Sequence, residues 1–241
     1  MTQKDISTTQ SEIAHRFFVG TASTYDFTVK LWTLGLDRWW KQRLVDRIPS
    51  CPTRILDQAC GTGILTLRIA RRFPYCEVIG VDLHQEYLIQ AIRKAKALKI
   101  NNIQFVQGFA EEVFFKGKWD CVISSYLAKY VHVEKLVTGA RRMLRPGGVL
   151  ILHDFTYPHN PFIAHILDVY FRLMQTFGSP FFPEWKPAFF ELKGFLRQSH
   201  WVETLVDSLQ RNIFRGIRVQ HFTFGISTIV HATNMMPYIR H

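Results

Sequence analysis

The chain has 241 residues, of which 47% are hydrophobic and 20% charged, with a formal net charge of +11. That apolar content excludes a disordered chain and suits one large α/β domain with a cap, read as a single domain over residues 1–241; only the polar stretch Met1–Gln10 reads as disordered. The positive balance suits an anionic partner, but the basic residues are scattered in small groups such as Arg71-Arg72 and Arg141-Arg142, so solvated helix faces account for most of them and no nucleic-acid partner is expected.

No basic flank leads into an apolar core at the N-terminus, and no apolar run could span a bilayer. The expectation is a cytoplasmic protein with weak peripheral contact at the inner face of the membrane. Cys51, Cys60, Cys76 and Cys121 form no C-x-x-C pair and read as reduced thiols, mostly buried. His153, His159 and His165 recur at a spacing that suits neither a helix face nor a strand face, so no metal site is expected.

In chain order, residues 12–48 read as helical, with Phe17, Phe18, Leu31, Leu34, Trp39, Trp40 and Leu44 as apolar positions, until Cys51-Pro52-Thr53 breaks the pattern. Strand and helix then alternate: a strand at Arg54–Asp57, a helix at Ile64–Phe73, a strand at Glu77–Asp82, a helix at Gln85–Leu98, strands at Ile103–Gln107 and Trp119–Ser125, and a helix over His132–Leu144. Pro146-Gly147-Gly148 stops that helix and leads into a strand at Val149–Leu152. Such alternation predicts a mostly parallel sheet covered on both faces.

Residues 161–177 follow a helical period and read mainly as core. The stretch after them, with Phe181, Phe182, Trp185 and Phe189 broken by prolines, reads as a mobile lid over an acceptor. A helix at Trp201–Arg211 and a β-hairpin, Arg218–Phe224 and Ser227–His231 joined at Gly225, complete the chain. The units are residues 1–50, a core over 51–155, an aromatic helical cap over 156–200, and a C-terminal helix and β-hairpin over 201–241.

The first strand runs into Asp57-Gln58-Ala59-Cys60-Gly61-Thr62-Gly63, and a helix follows at once. Glycines there let a ligand approach the backbone, although a tight strand-to-helix turn alone would explain them. Asp82 ends the second strand about 20 residues beyond the loop, where an acidic side chain can accept from both hydroxyls of a ribose; it could also simply cap the next helix. Ala59 stands where a dinucleotide loop wants its first glycine, and the Asp57 carboxylate would repel a pyrophosphate while suiting the cationic amino-acid end of S-adenosylmethionine.

The chain resembles the ubiquinone/menaquinone biosynthesis C-methyltransferase family. The resemblance rests on Asp57, Ala59 and Gly61-Thr62-Gly63, on Tyr25-Asp26 followed by Thr33, Gly35, Arg38, Trp40 and Lys41, and on Leu144–Gly148 with Asp154–Pro158. It implies a class I fold, a Rossmann-like mostly parallel seven-stranded sheet, with S-adenosylmethionine as cofactor and residues 1–50 as a helical lid bringing Tyr25 over it. It also places Gly61, Thr62 and Gly63 at the amino-acid end, Asp82 on the ribose, and Ser125 near the sulfonium. Leu83, Phe109 and Ala110 fall on the adenine side, where the family has an Asn-Ala pair and this chain has Phe109-Ala110. Past Ser125 the family's Arg-Asn pair is replaced by Lys129-Tyr130.

Ligands in such sheets lie beyond the carboxyl ends of the strands, which brings Ser125, Tyr126, His153 and Asp154 around the methyl group. Carbon methylation needs an electron-rich acceptor such as a phenolate. His153 or Asp154 is the expected base, and Tyr126 or Lys129 the expected group orienting the oxygen. The acceptor implied is small, aromatic or lipid-like, with a quinone precursor first. A nucleic-acid methyltransferase is the alternative, but Ser124-Ser125-Tyr126-Leu127 stands where its N/D-P-P-Y/F element would be. A non-catalytic nucleoside-binding protein is the other.

Overall fold

The computed structural model describes residues 12–235, so the stretch expected to be disordered, Met1–Gln10, lies outside it. A helix over residues 12–18 (α1) precedes α2 (Tyr25–Trp32) and α3 (Leu36–Val45). The alternating part follows as β1 (Arg54–Gln58), α4 (Ile64–Arg72), β2 (Glu77–Asp82), α5 (Gln85–Ala97), β3 (Ile103–Gln107), β4 (Trp119–Ser125), a 3-10 turn at Ala128–Tyr130, α6 (Val133–Met143) and β5 (Leu144–Phe155). Then come α7 (Pro161–Leu173), a π-helical turn at Met174–Gly178, the single turn α8 (Ser179–Phe181), a 3-10 turn at Pro183–Trp185, α9 (Lys186–Gln198), α10 (Trp201–Arg211), β6 (Phe214–Phe222) and β7 (Ser227–Asn234).

The seven strands lie in the order β3-β2-β1-β4-β5-β7-β6. Pairing is parallel from β3 to β5, while β7 runs antiparallel to both β5 and β6. The expected mostly parallel sheet with a C-terminal hairpin is therefore present. β1, β2 and β4 are buried along nearly their whole length, with apolar residues such as Ile55, Leu56, Val78, Ile79, Val122 and Ile123 serving both faces and polar ones gathered at the strand ends. One face packs on α6 and α10 through Leu136, Val137, Leu205 and Leu209. The other packs on α3 and α4 through Leu44, Leu65 and Ile69. A third apolar cluster forms the cap and joins Phe17 of α1 to Phe171, Met174, Trp185 and Phe189.

Several element ends shift by a residue or more from the sequence reading, and three shifts are structurally informative. The fifth strand starts at Leu144, because Pro146-Gly147-Gly148 is carried within it as an irregularity opposite Trp119 and Cys121 rather than as a separate turn. The hairpin starts at Phe214, and its connection, Thr223–Gly225, holds Phe224 at φ 56°. The helix from Pro161 stops being regular at Leu173 and turns through the π segment. There Gly178 lies against the indole of Trp32, and a Cβ would stand 2.6 Å from that ring. In the proline-broken stretch Trp185 and Phe189 are buried in the cap's own core, while Phe181 is 78% exposed. Of the four cysteines, Cys51 is exposed and the other three are buried.

At the end of the sheet away from the crevice, Asp120 fastens β1 to β4. Its Oδ2 accepts from the Thr53 N–H (2.7 Å), the Thr53 hydroxyl (2.8 Å) and the Arg54 N–H (2.9 Å), and Arg145 pairs with its Oδ1 at 2.6 Å. These donors outweigh burial and hold the carboxyl below its ordinary range. A depressed carboxyl stabilises the fold above its unfolded pKa and loses that contribution as pH falls through its folded value. Asp120→Ala is expected to cost about 2 kcal/mol, a fall of roughly 4–8 °C in Tm at neutral pH. The deficit should shrink in acid. Thermal unfolding at pH 7 and at pH 3 checks this.

Candidate active site at the β1–β4 crevice

Strand order reverses between β1 and β4: the chain builds outward through β2 and β3, then returns to lay β4 on the other side of β1. The loops leaving the carboxyl ends of these two strands must diverge, and a crevice opens between them. The loop after β1 runs through Ala59, Gly61 and Gly63, all at positive φ (57°, 56° and 81°). Gly63 caps α4, and a Cβ there would stand 3.1 Å from the Ala91 methyl. The missing side chain at Gly63 therefore lets α4 pack on α5.

A cavity on this side is lined by Tyr25, Ala59, Gly61, Asp82, Leu83, Phe109, Ala110, Ser125 and Tyr126. A narrow recess continues it past Thr62 and Lys41 to Asp57. Asp82 accepts from the Gly61 N–H (2.8 Å) and the His84 N–H (2.9 Å), which fixes its carboxylate at the cavity wall. Phe109 is 43% exposed at the rim, and the carbonyl of Ala110 accepts from Gln58 Nε2 at 2.7 Å. Asp57 is the most telling group. Its Oδ2 accepts from the Thr66 hydroxyl at 2.6 Å, while its Oδ1 is buried with no hydrogen-bond partner. Burial pushes its carboxyl up to about 7. A buried, orphaned carboxylate oxygen at the end of a recess fits a cationic amine arriving from the cavity.

The N-terminal helices close over this crevice. Asp26, next to Tyr25, receives the Thr62 hydroxyl and pairs with Lys94 of α5 at 2.6 Å. The Gly20 N–H donates to Glu86 at 2.8 Å, and His15 stacks on His84 with ring centroids 5.2 Å apart. Tyr25 packs edge-on against Tyr87 at 5.1 Å.

On the far side of Tyr25 and Tyr126 lies a second cavity of about 300 Å³, lined chiefly by apolar side chains including Phe17, Trp32, Trp40, Phe155, Phe171 and Phe189. Tyr126 stands between the two. It takes φ 69°, its ring stacks on Phe155 at 4.7 Å, and its hydroxyl donates to Asp37 at 2.7 Å. Asp37 is paired in turn with Lys41, four residues on in α3, whose ammonium lies 4.5 Å from the Tyr126 ring centroid. This buried pair was not singled out from the sequence as Tyr126's support, although the i,i+4 spacing of opposite charges was there to be read.

Lys129 reaches the second cavity from the 3-10 turn and is the charged residue among the described residues lining it. It pairs with Asp154, and both side chains are wholly buried. Asp154 also accepts from the Phe155 N–H at 2.8 Å and the Lys129 N–H at 3.3 Å. Burial pushes Asp154 up and Lys129 down, each toward its neutral form. Lys129 faces the cavity, and Asp154, one expected base, stands behind it.

His153, the other expected base, lies outside both cavities. Its Nδ1 bonds the Ser125 hydroxyl and its Nε2 the Ser227 hydroxyl, both at 2.8 Å, and burial lowers its pKa to about 3. Both ring nitrogens are thus engaged, one of them with Ser125 at the wall of the first cavity.

Residues 6–234 match the ubiE/COQ5 methyltransferase family. The chain is 33% identical over 163 residues to a demethylmenaquinone methyltransferase of Thermus thermophilus, covering 66% of this chain and 74% of that protein. It is 30% identical over 245 residues to one of Chlorobaculum parvum, covering 96% and 97%. Among solved structures it is similar to the N-methyltransferase NodS of Bradyrhizobium japonicum in complex with S-adenosylhomocysteine, with a TM-score of 0.55 at 13% identity over 83% of this chain and 87% of that one.

The Asp57 recess gives a pH-dependent expectation. A cationic amine gains from Asp57 only when the carboxyl is ionised, so affinity should rise with pH up to about 7 and level off above it. Calorimetric titration with S-adenosylhomocysteine should give a slope of about tenfold per pH unit below that point. Asp57→Asn should bind more weakly and show a flat profile.

Proposed function

The chain belongs to the ubiE/COQ5 methyltransferase family and is an S-adenosylmethionine-dependent methyltransferase; we propose that its acceptor is a quinone precursor, a hydroxylated aromatic ring with an apolar tail, methylated on a ring carbon. The observation that carries this reading is the apolar cavity with one buried lysine–aspartate pair, sharing Tyr25 and Tyr126 with the cavity that carries Asp82 and with the recess that ends at Asp57. Names of relatives that act on demethylmenaquinone support the same acceptor class.

When bound, S-adenosylmethionine supplies an electrophilic methyl group. The protein's own task is to hold it, dry the site and raise the electron density of the acceptor ring. Asp82 accepts from the ribose, and the orphaned Asp57 oxygen takes the amine. The aromatic walls of the second cavity receive the ring and exclude water. Burial pushes Lys129 and Asp154 each toward its neutral form, against the attraction that holds them as an ion pair. A buried amine pushed toward its neutral form can take a proton from a ring hydroxyl and then face the phenolate as an ammonium. Tyr126, held by Asp37, sets the wall between ring and cofactor. Residues 1–50 act as the lid and 156–200 as the acceptor cap. A lysine presents a compact charge where the related proteins present a planar guanidinium, so a single oxygen is held here rather than two. Contact with a membrane surface belongs to the same reading, because a tailed quinol is insoluble in water.

With methyl-labelled S-adenosylmethionine, label should enter a demethylmenaquinol and not RNA, DNA or small amines. Lys129→Met should lower kcat by about 10²–10³-fold while leaving S-adenosylhomocysteine affinity unchanged. Label appearing only in nucleic acid, or full activity in Lys129→Met, would refute the assignment.

A further inference from the structure

Helix α7 has two apolar faces. Leu167, Phe171 and Met174 are buried in the cap. Phe162, Ile166, Val169, Leu173 and Phe177 follow at intervals of four, three, four and four residues, so they form a single stripe on the opposite side. Every one of them is exposed, from 40% for Val169 to 70% for Phe162. Folding has left this stripe in water, where a helix of a soluble protein carries polar residues.

The stripe continues onto α2. The Tyr170 hydroxyl donates to the carbonyl of Trp32 at 2.7 Å, and Gly178 packs on the Trp32 indole, so α2 and the end of α7 are neighbours. Phe27, Leu31 and Leu34 are exposed on or just after α2, with Leu34 at 75%, and Phe181 adds to the same region. An exposed apolar surface gathered on two adjacent helices marks an interaction site.

Two further observations choose the occupant. Leu34 and Ile166 line the apolar acceptor cavity and are at the same time exposed, so the cavity opens onto this surface. The charges around it are also one-sided. Asp168 is held by Tyr157 and Arg197, Glu191 by Arg16, and Glu184 by Thr24, whereas Lys30, Arg172 and Lys186 are exposed and enter no ion pair among the described residues. An apolar stripe rimmed by free cations matches an anionic lipid surface, with the aliphatic side chains at acyl depth and the cations at the headgroups.

We infer that the α2–α7 face is a bilayer-docking surface, on which the protein sits with its acceptor cavity opening into the lipid, so that the ring of a tailed acceptor passes sideways into the cavity while its tail stays in the membrane. This rests on the tailed-acceptor reading above.

The test is flotation of the full chain with vesicles of phosphatidylcholine, alone or mixed with phosphatidylglycerol. The wild type should float with the mixed vesicles at low salt and much less at high salt. Phe162→Gln, Leu173→Gln and Phe177→Gln combined, all outside the two cavities, should weaken that binding by at least about tenfold. The triple variant should keep its S-adenosylhomocysteine affinity and its turnover of a tail-less acceptor, while turnover of a tailed acceptor in vesicles falls. Reversing the rim, with Lys30→Glu, Arg172→Glu and Lys186→Glu combined, should abolish the preference for phosphatidylglycerol. Wild-type protein that stays off mixed vesicles, or a triple variant that floats as well as the wild type, overturns the inference. So does sedimentation showing a dimer that the triple substitution splits, since the face would then be covered by a second copy. Failure to methylate a tail-less acceptor would instead sink the acceptor assignment, and vesicle binding would report on the surface regardless.

Discussion

Strand β4 lies beside β1 rather than beside β3, and from that reversal the rest of the site follows. The two chains leaving the adjacent strand ends must part, and the gap between them cannot be closed by backbone hydrogen bonds. After β1 the chain turns away through three left-handed residues, and after β4 it turns through one, Tyr126. That single left-handed residue throws a large ring into the gap and divides it into two cavities. A phenol in such a strained position needs outside support, and the support comes from another part of the chain: Asp37 of α3, neutralised by Lys41. The N-terminal helices therefore form part of the site wall as well as its cover.

Electrostatics separates the two halves. On one side carboxylates face outward from the sheet. Asp82 is satisfied by backbone N–H groups, but Asp57 is left with one buried oxygen unpartnered, a cost that a bound cation removes. On the other side a wholly buried ion pair sits among aromatic rings, with Tyr130 4.4 Å from the Lys129 ammonium. Burying such a pair is poor economy for stability alone, since an apolar pair of the same volume is often as stable. Its position at the floor of an apolar cavity gives it a chemical reason instead.

Much of this was legible in the sequence. Alternating buried strands and amphipathic helices fix the parallel sheet, and the spacing from Gly61 to Asp82 anticipates that both line one cavity. What stayed hidden depends on side-chain direction. His153 and Asp154 are neighbours on one strand and so point to opposite faces; their place at the carboxyl end of that strand made both look like bases, and only the structure shows His153 bonded to two serines and Asp154 paired with Lys129. Nor could the sequence say that a Cβ at Gly63 would press on Ala91 of α5, so that this glycine also serves helix packing. The helix at Pro161–Leu173 carried enough apolar residues for two faces, and periodicity alone could not say that one of them has no partner in the fold.

The most direct measurement is a crystal structure with S-adenosylhomocysteine and a tail-less demethylmenaquinol bound together. The amine should lie against Asp57 Oδ1, the ribose hydroxyls against Asp82, and the quinol ring in the second cavity with one oxygen within hydrogen-bond reach of Lys129, the ring and the thioether meeting beside Tyr126. A quinol bound on the Phe109 rim, or a ring in the apolar cavity with both oxygens turned away from Lys129, would contradict the division of the crevice into these two working halves.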